Sequence, residues 1–124
     1  MSYDPIALAK AGGYLITLLI PAIVYGYFVT LKRRHRPSAV TEQEIEGLKS
    51  SGTPFTLVDV REKKEFAATP REGAVNIPLG NLAYDVMDWN REGLYILACK
   101  SGMRARKGAN EMVGRGFKQV RYLH

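Results

Sequence analysis

Cysteine is nearly absent from this 124-residue chain: there is one, Cys99. A lone thiol forms no internal disulfide. It belongs either to a reducing compartment or to a sulfur kept free for chemistry. Histidine is scarce as well. His35 and His124 lie at a flank and at the terminus, and one Cys with two distant His cannot build a zinc site. No metal and no cofactor is expected. There is no internal repeat and no low-complexity tract. A broad basic surface is also missing, despite a net charge of +6. Met1–Leu31 is neutral (Asp4 against Lys10), Lys32–Arg36 carries +4, and the remainder has 13 Lys+Arg against 11 Asp+Glu. Nucleic-acid binding needs a basic stripe across the folded part, so no nucleic-acid partner is expected.

Charge is missing altogether from Tyr14 to Leu31, which reads YLITLLIPAIVYGYFVTL. As a helix these residues span about 27 Å, close to a bilayer hydrocarbon core. Lys10 can snorkel if the helix extends back toward Ile6. Pro21 and Gly26 weaken a soluble helix but are common in membrane ones. Tyr14, Tyr25 and Tyr27 lie toward the ends, where aromatic rings favour the interface. A buried core helix needs a larger protein around it. A signal peptide carries its basic residues before the apolar run, whereas Lys32-Arg33-Arg34-His35-Arg36 follows here. Those residues read as a stop to translocation and are retained in the cytoplasm; contact with anionic head groups adds to this. The expected division is a lead at 1–13, a transmembrane helix at 14–31, a basic juxtamembrane linker at 32–40 and a folded domain at 41–124. The N-terminus then faces outside and the domain faces the cytosol, with the lipid bilayer as a partner.

From Thr41 the pattern alternates. Thr41-Glu42-Gln43-Glu44 is a capping box opening a short helix with Ile45 and Leu48 inward. Phe55–Val60 is almost wholly apolar or β-branched, as expected of a strand covered on both sides. A short helix at Glu62–Ala68 holds Phe66. A strand at Ala74–Ile77 stops at Pro78, and Leu79–Trp89 reads as a helix with Leu82, Val86 and Trp89 on one side. Leu94–Ala98 is a second buried strand. The helix from Met103 to about Gly114 buries Ala105, Ala109, Met112 and Val113, and Val120–Leu123 is a last strand. The fold class is α/β: a small parallel sheet with helices on both faces, preceded by one transmembrane helix.

Ligands in such sheets bind at the carboxyl ends of strands. Cys99 sits at such an end, in the loop Cys99-Lys100-Ser101-Gly102-Met103-Arg104. Loop amides and the positive end of the following helix dipole converge there and stabilise an anion on sulfur. Gly102 permits the sharp turn. Lys100, Arg104, Arg106 and Lys107 add positive charge. The bland alternative is a buried structural thiol.

Together these residues resemble the rhodanese (thiosulfate sulfurtransferase) family. Asp59-Val60-Arg61 with Glu65-Phe66, the run Gly73-Ala74-Val75-Asn76-Ile77-Pro78-Leu79, the loop Leu97–Ala105, and Gly116-Phe117 to Val120-Tyr122-Leu123 match its motifs in order. Cysteine phosphatases place five residues between Cys and Arg. Here Arg104 follows Cys99 after four, the rhodanese spacing, whose smaller cradle suits sulfur. The resemblance implies that Cys99 takes sulfane sulfur from a small anionic donor such as thiosulfate and passes it, as a persulfide, to a thiol or cyanide acceptor. Two departures stand out. Thr69-Pro70-Arg71-Glu72-Gly73 replaces the family's frequent Gly-His-Ile before "GA". The chain also stops at His124, without the usual Gly-Gly turn and closing helix, which implies either a truncated piece or a minimal domain with less cover and lower stability.

On this reading Cys99 is the catalytic residue. Lys100, Ser101, Gly102, Met103 and Arg104 form the loop, with Lys100 over the mouth attracting the donor or simply solvated. Arg104 turns to loop carbonyls or to Asp59. Asp59 is structural support. Arg61 steers the substrate anion or bridges to Glu65. Both His are bystanders. A different class of function is a catalytically idle docking module that recruits a partner to the membrane. Phosphatase or arsenate reductase chemistry ranks third, the loop being one residue short.

Overall fold

The computed structural model describes residues 5–34 and 36–124, without the side chains of Pro5, Leu8, Ala11 and Lys32–Arg34. The start of the lead, His35 and the contacts of the basic cluster therefore lie outside the described residues. Helix α1 runs Pro5–Arg34, longer at both ends than the uncharged run and taking in most of the expected lead. Within it, Gly12–Leu31 has a mean hydropathy of 1.9 and none of it is buried. Its two threonine hydroxyls turn back on their own backbone. Thr17 donates to the carbonyls of Gly13 and Tyr14, both at 2.9 Å, and Thr30 to that of Gly26 at 2.7 Å. Such bonds satisfy the hydroxyls within the helix itself. Pro21 sits inside the helix without ending it.

The second unit, Arg36–His124, is a five-stranded parallel sheet. In chain order it comprises β1 (Ser38–Val40), α2 (Glu42–Ser50), β2 (Thr56–Asp59), α3 (Lys63–Ala68), β3 (Ala74–Asn76), α4 (Leu82–Asp85), β4 (Leu94–Ala98), α5 (Met103–Gly114) and β5 (Gln119–Leu123). The spatial order is β1-β5-β4-β2-β3, so β4 is the central strand. Side chains alternate across it, as a strand requires. Tyr95 and Leu97 join the core under α4 and α5 with Leu82, Val86, Ala109 and Met112. Ile96 and Ala98 join Ile45 of α2 on the other face. The capping box closes as expected: Thr41 N–H donates to Glu44 Oε2 at 2.7 Å, and Glu44 N–H to Thr41 Oγ1 at 3.3 Å.

Two elements differ from the sequence reading. β1 is not expected from the sequence; it pairs with β5 from Ser38 opposite Arg121 to Val40 opposite Leu123. The expected helix at Leu79–Trp89 is a 3-10 turn at Leu79–Asn81 followed by only four α-helical residues. After Asp85 the backbone closes tighter i+3 turns, with Met87 N–H donating to the Tyr84 carbonyl at 3.3 Å and Trp89 N–H to the Val86 carbonyl at 3.1 Å. Arg91 Nη1 donates to the carbonyls of Met87 and Trp89, both at 2.7 Å, beyond that break.

Candidate active site

Register brings the site together. Asp59 pairs with Ala98 on one side and Asn76 on the other, so the exits of β2, β3 and β4 lie level at the carboxyl edge. Cys99 is the first residue beyond β4. It keeps the alternation of Tyr95 and Leu97 and belongs to the α5-side core, with only 7% of its surface exposed. Gly102, at φ +84°, is the N-cap of α5. A Cβ there would stand 3.1 Å from the Leu123 carbonyl oxygen, so glycine is required by conformation and by space. With the chain turned this way, Gly102 N–H donates to Cys99 Sγ at 3.1 Å and Ala105 N–H donates at 3.3 Å. These are first-turn amides that the helix cannot satisfy itself. Two amides, one from the loop and one from the first turn of α5, thus aim at the sulfur.

The wall beside the sulfur is a tight network. Buried Asp59 accepts from the Arg61 backbone N–H at 3.0 Å, from Nε at 3.0 Å and from Nη2 at 2.9 Å. Arg61 also donates to Thr69, reaching Oγ1 at 3.0 Å and the carbonyl at 2.6 Å. Asn76 Nδ2 donates to the carbonyls of Asp59 and Arg61 at 3.1 and 2.9 Å, which fixes the exit of β2. Asp59 thus holds Arg61 and not Arg104.

Arg104 meets a carboxylate that the sequence does not assign to it. Its two Nη atoms donate to Glu65 at 2.7 and 2.9 Å, and Glu65 also accepts from Glu62 N–H at 2.9 Å. The Glu65 carboxyl is lowered from its usual 4.5 to about 2, chiefly by Arg104 and then by that amide. Hydrogen bonds to Asp59 and to Glu65 raise Arg61 and Arg104, respectively, above the usual guanidinium range. The expected bridge from Arg61 to Glu65 and the expected turn of Arg104 to Asp59 are therefore exchanged.

Two open depressions meet at Cys99. One, of about 370 Å³, is bordered by Arg61, Thr69, Pro70, Arg71, Cys99 and Lys100. The other, of about 220 Å³, runs from Glu42 and Arg71 past Cys99, Lys100, Ser101 and Gly102 to His124. Lys100 is exposed and stands at the mouth. Met103 is 77% exposed and borders neither depression, so its side chain is not brought to the site. Glu42, Arg71, Thr69 and His124 are at the mouth without being expected there. The capping box holds a signal for Glu42, because a strand exit and the next helix start lie together at the carboxyl edge. A further depression, walled by Thr53, Phe55, Gly93, Tyr95 and Gln119, contains no nucleophile of this kind.

The family model described as the rhodanese-like domain matches residues 41–124. This chain belongs to the rhodanese-like family. It is a family of sulfurtransferases and sulfur carriers. A Bacillus subtilis protein named as a sulfur carrier, YrkF, is 31% identical over 86 residues, 67% of this chain and 46% of that protein. Another, named as a sulfurtransferase, YtwF, is 33% identical over 64 residues, 52% of this chain and 62% of that protein. The chain therefore spans less than two thirds of either relative. The human single-domain sulfurtransferase TSTD1 superposes on the rhodanese-like unit with a TM-score of 0.64 at 25% identity, covering 70% of this chain and 88% of that one.

Proposed function

We propose that the protein is a membrane-anchored sulfurtransferase that carries sulfane sulfur on Cys99. One observation carries this reading: the amides of Gly102 and Ala105 both donate to Sγ, at the foot of two solvent-open depressions. A Cys99 thiolate attacks the outer sulfur of a donor such as thiosulfate. The donor's S–S bond breaks, its electron pair leaves with sulfite, and the transferred sulfur stays as a Cys99 persulfide. A thiol or cyanide then attacks that outer sulfur and returns Cys99 as a thiolate. Both steps follow the rules of thiol–disulfide exchange. The amide donors stabilise the anion in each resting form.

Helix α1 is the anchor on this reading. Its span Gly12–Leu31 is long and apolar enough to cross a bilayer. The cluster Lys32–Arg36 holds its carboxyl end on the cytoplasmic side, with the N-terminus outside. In an alkaline carbonate wash the full chain is expected to stay with membranes; release into the supernatant would remove the anchor from the account.

Intact-mass measurement of the full chain after thiosulfate tests the chemistry. One sulfur atom is expected on wild type, removable by cyanide, and none on Cys99→Ser. Failure of the wild type to load sulfur from thiosulfate or from an organic persulfide would sink sulfur transfer and leave a docking role.

A further inference from the structure

The arginines that sequence reasoning places at the site have little charge to offer a substrate. Arg61 gives its nitrogens to Asp59 and Thr69, and Arg104 gives both Nη atoms to Glu65. Arg61 is held by a fully buried carboxylate, and Arg104 by two hydrogen bonds to one that is 38% exposed, less open than Glu42. Yet attack on thiosulfate adds a thiolate's charge to that of a dianion, and the leaving sulfite keeps two negative charges. Cations with capacity left are needed at the mouth. Two border both depressions, Lys100 and Arg71. Lys100 forms no ion pair among the described residues.

Arg71 is placed with more care. Its carbonyl accepts Ala74 N–H at 3.2 Å, and Thr69, two residues before it, is tied to Arg61. The loop is thus pinned on both sides, and Arg71 borders both depressions. Its partner is Glu42, with Nη1 donating to Oε1 at 2.6 Å. The Glu42 side chain is 64% exposed. The Arg71 side chain is 28% exposed, and a pair whose carboxylate stands this far in water contributes little and exchanges readily. A guanidinium also accepts a tetrahedral or planar oxyanion through two parallel N–H bonds.

We propose that Arg71 is the specificity-determining residue for donor charge. It binds the anionic leaving group of the sulfur donor. Glu42 is the counter-ion that the donor displaces, and it holds Arg71 over the mouth between turnovers. The donor class is a sulfane sulfur bonded to an oxyanionic leaving group. The substrate assignment rests on the sulfur-transfer reading above; the charge assignment does not.

The test uses the full chain in an uncharged detergent and compares alkylation of Cys99 by iodoacetate and by iodoacetamide, followed by intact mass. The reagents deliver similar chemistry and differ in charge, so their rate ratio cancels any change in the thiol's own reactivity. Arg71→Gln is expected to lower the iodoacetate-to-iodoacetamide ratio about fivefold, and Glu42→Gln to raise it about twofold, as local potential changes the concentration of an anion at the mouth. Arg71→Lys should restore most of the ratio, and in the Arg71→Gln background Glu42→Gln should still raise it by removing a negative charge from the mouth. With thiosulfate, Arg71→Gln should raise the half-saturating concentration about fivefold while the limiting rate stays within about twofold, the signature of lost uniform binding. A ratio unmoved by Arg71→Gln overturns the proposal. So does a lowered ratio with unchanged thiosulfate saturation, because the donor class would then be wrong. If wild type loads no sulfur at all, the sulfur-transfer reading fails, while the alkylation ratio still decides whether Arg71 selects anions.

Discussion

Two arginine–carboxylate pairs flank the Cys99 loop, and they are built differently. Asp59–Arg61 is shut in: the Asp59 side chain has no exposure and Arg61 has 13%. Glu65–Arg104 is open, with about a third of each side chain in water. The closed pair is woven into backbone, through the Arg61 amide and the Asn76 bonds that hold the exit of β2. The open pair ties α3 to α5 by side chains alone. The closed pair therefore gives the wall its shape, and breaking it strands a charge that water reaches poorly. The open pair sets charge near the sulfur, and water can take the place of either partner.

The largest effect should come from the closed pair. Asp59→Ala is expected to remove about 3 kcal/mol of unfolding stability, since a poorly hydrated guanidinium loses its carboxylate. Trp89 is the sole tryptophan and is stacked on Tyr95 at 5.3 Å, so its fluorescence in urea reports the α/β unit of the full chain. A loss well under 1 kcal/mol would show that the two pairs are alike after all. Next comes the turn that holds the sulfur's amide donors. Gly102→Ala is expected to cost about 1–2 kcal/mol for a left-handed alanine pressed on a carbonyl. It should also slow alkylation of Cys99 about tenfold as the amides turn from the sulfur. Gly52→Ala is the control. It shares a positive φ of 70° but meets open space, so it should cost about 1 kcal/mol and leave Cys99 reactivity unchanged.

The same contrast explains what could be read from sequence. β2, β4, β5 and α5 announce themselves by apolar runs and periodicity, because burial forces those patterns. β1 does not. Its three residues, Ser38–Val40, are too few to show a period, and pairing with β5 alone makes them a strand. The break after Asp85 is hidden because Leu82, Val86 and Trp89 face the same core whether the turns between them close as i+4 or as i+3. The loop is legible because a strand, Cys99, Gly102 and a helix are consecutive. The pairings are not. Arg61 and Glu65 are four apart, the helical spacing for a bridge, but α3 begins only at Lys63, so that spacing does not apply to Arg61. Its backbone leaves β2 with the side chain over Asp59, and Glu65 is left to meet Arg104, which lies 39 residues away in sequence.

The smallest effect is the most diagnostic one. Glu65→Gln should cost less than either change above at neutral pH, and its cost should respond to solvent. Because Arg104 holds the carboxyl at about 2 against a usual 4.5, the folded chain binds fewer protons there than the unfolded chain between those values. The pair's contribution is then full above about pH 4.5 and drains as the pH falls toward 2. The stability gap between wild type and Glu65→Gln should stay flat from pH 7 to 5 and close below that. Added salt at pH 7 should narrow it too, because exposed charges are screened. The gap between wild type and Asp59→Ala should hold in the same salt, because ions do not enter the wall. If salt shrinks both gaps equally, the Asp59–Arg61 pair is as open to water as its neighbour, and the Cys99 wall must owe its shape to the Asn76 and Thr69 bonds.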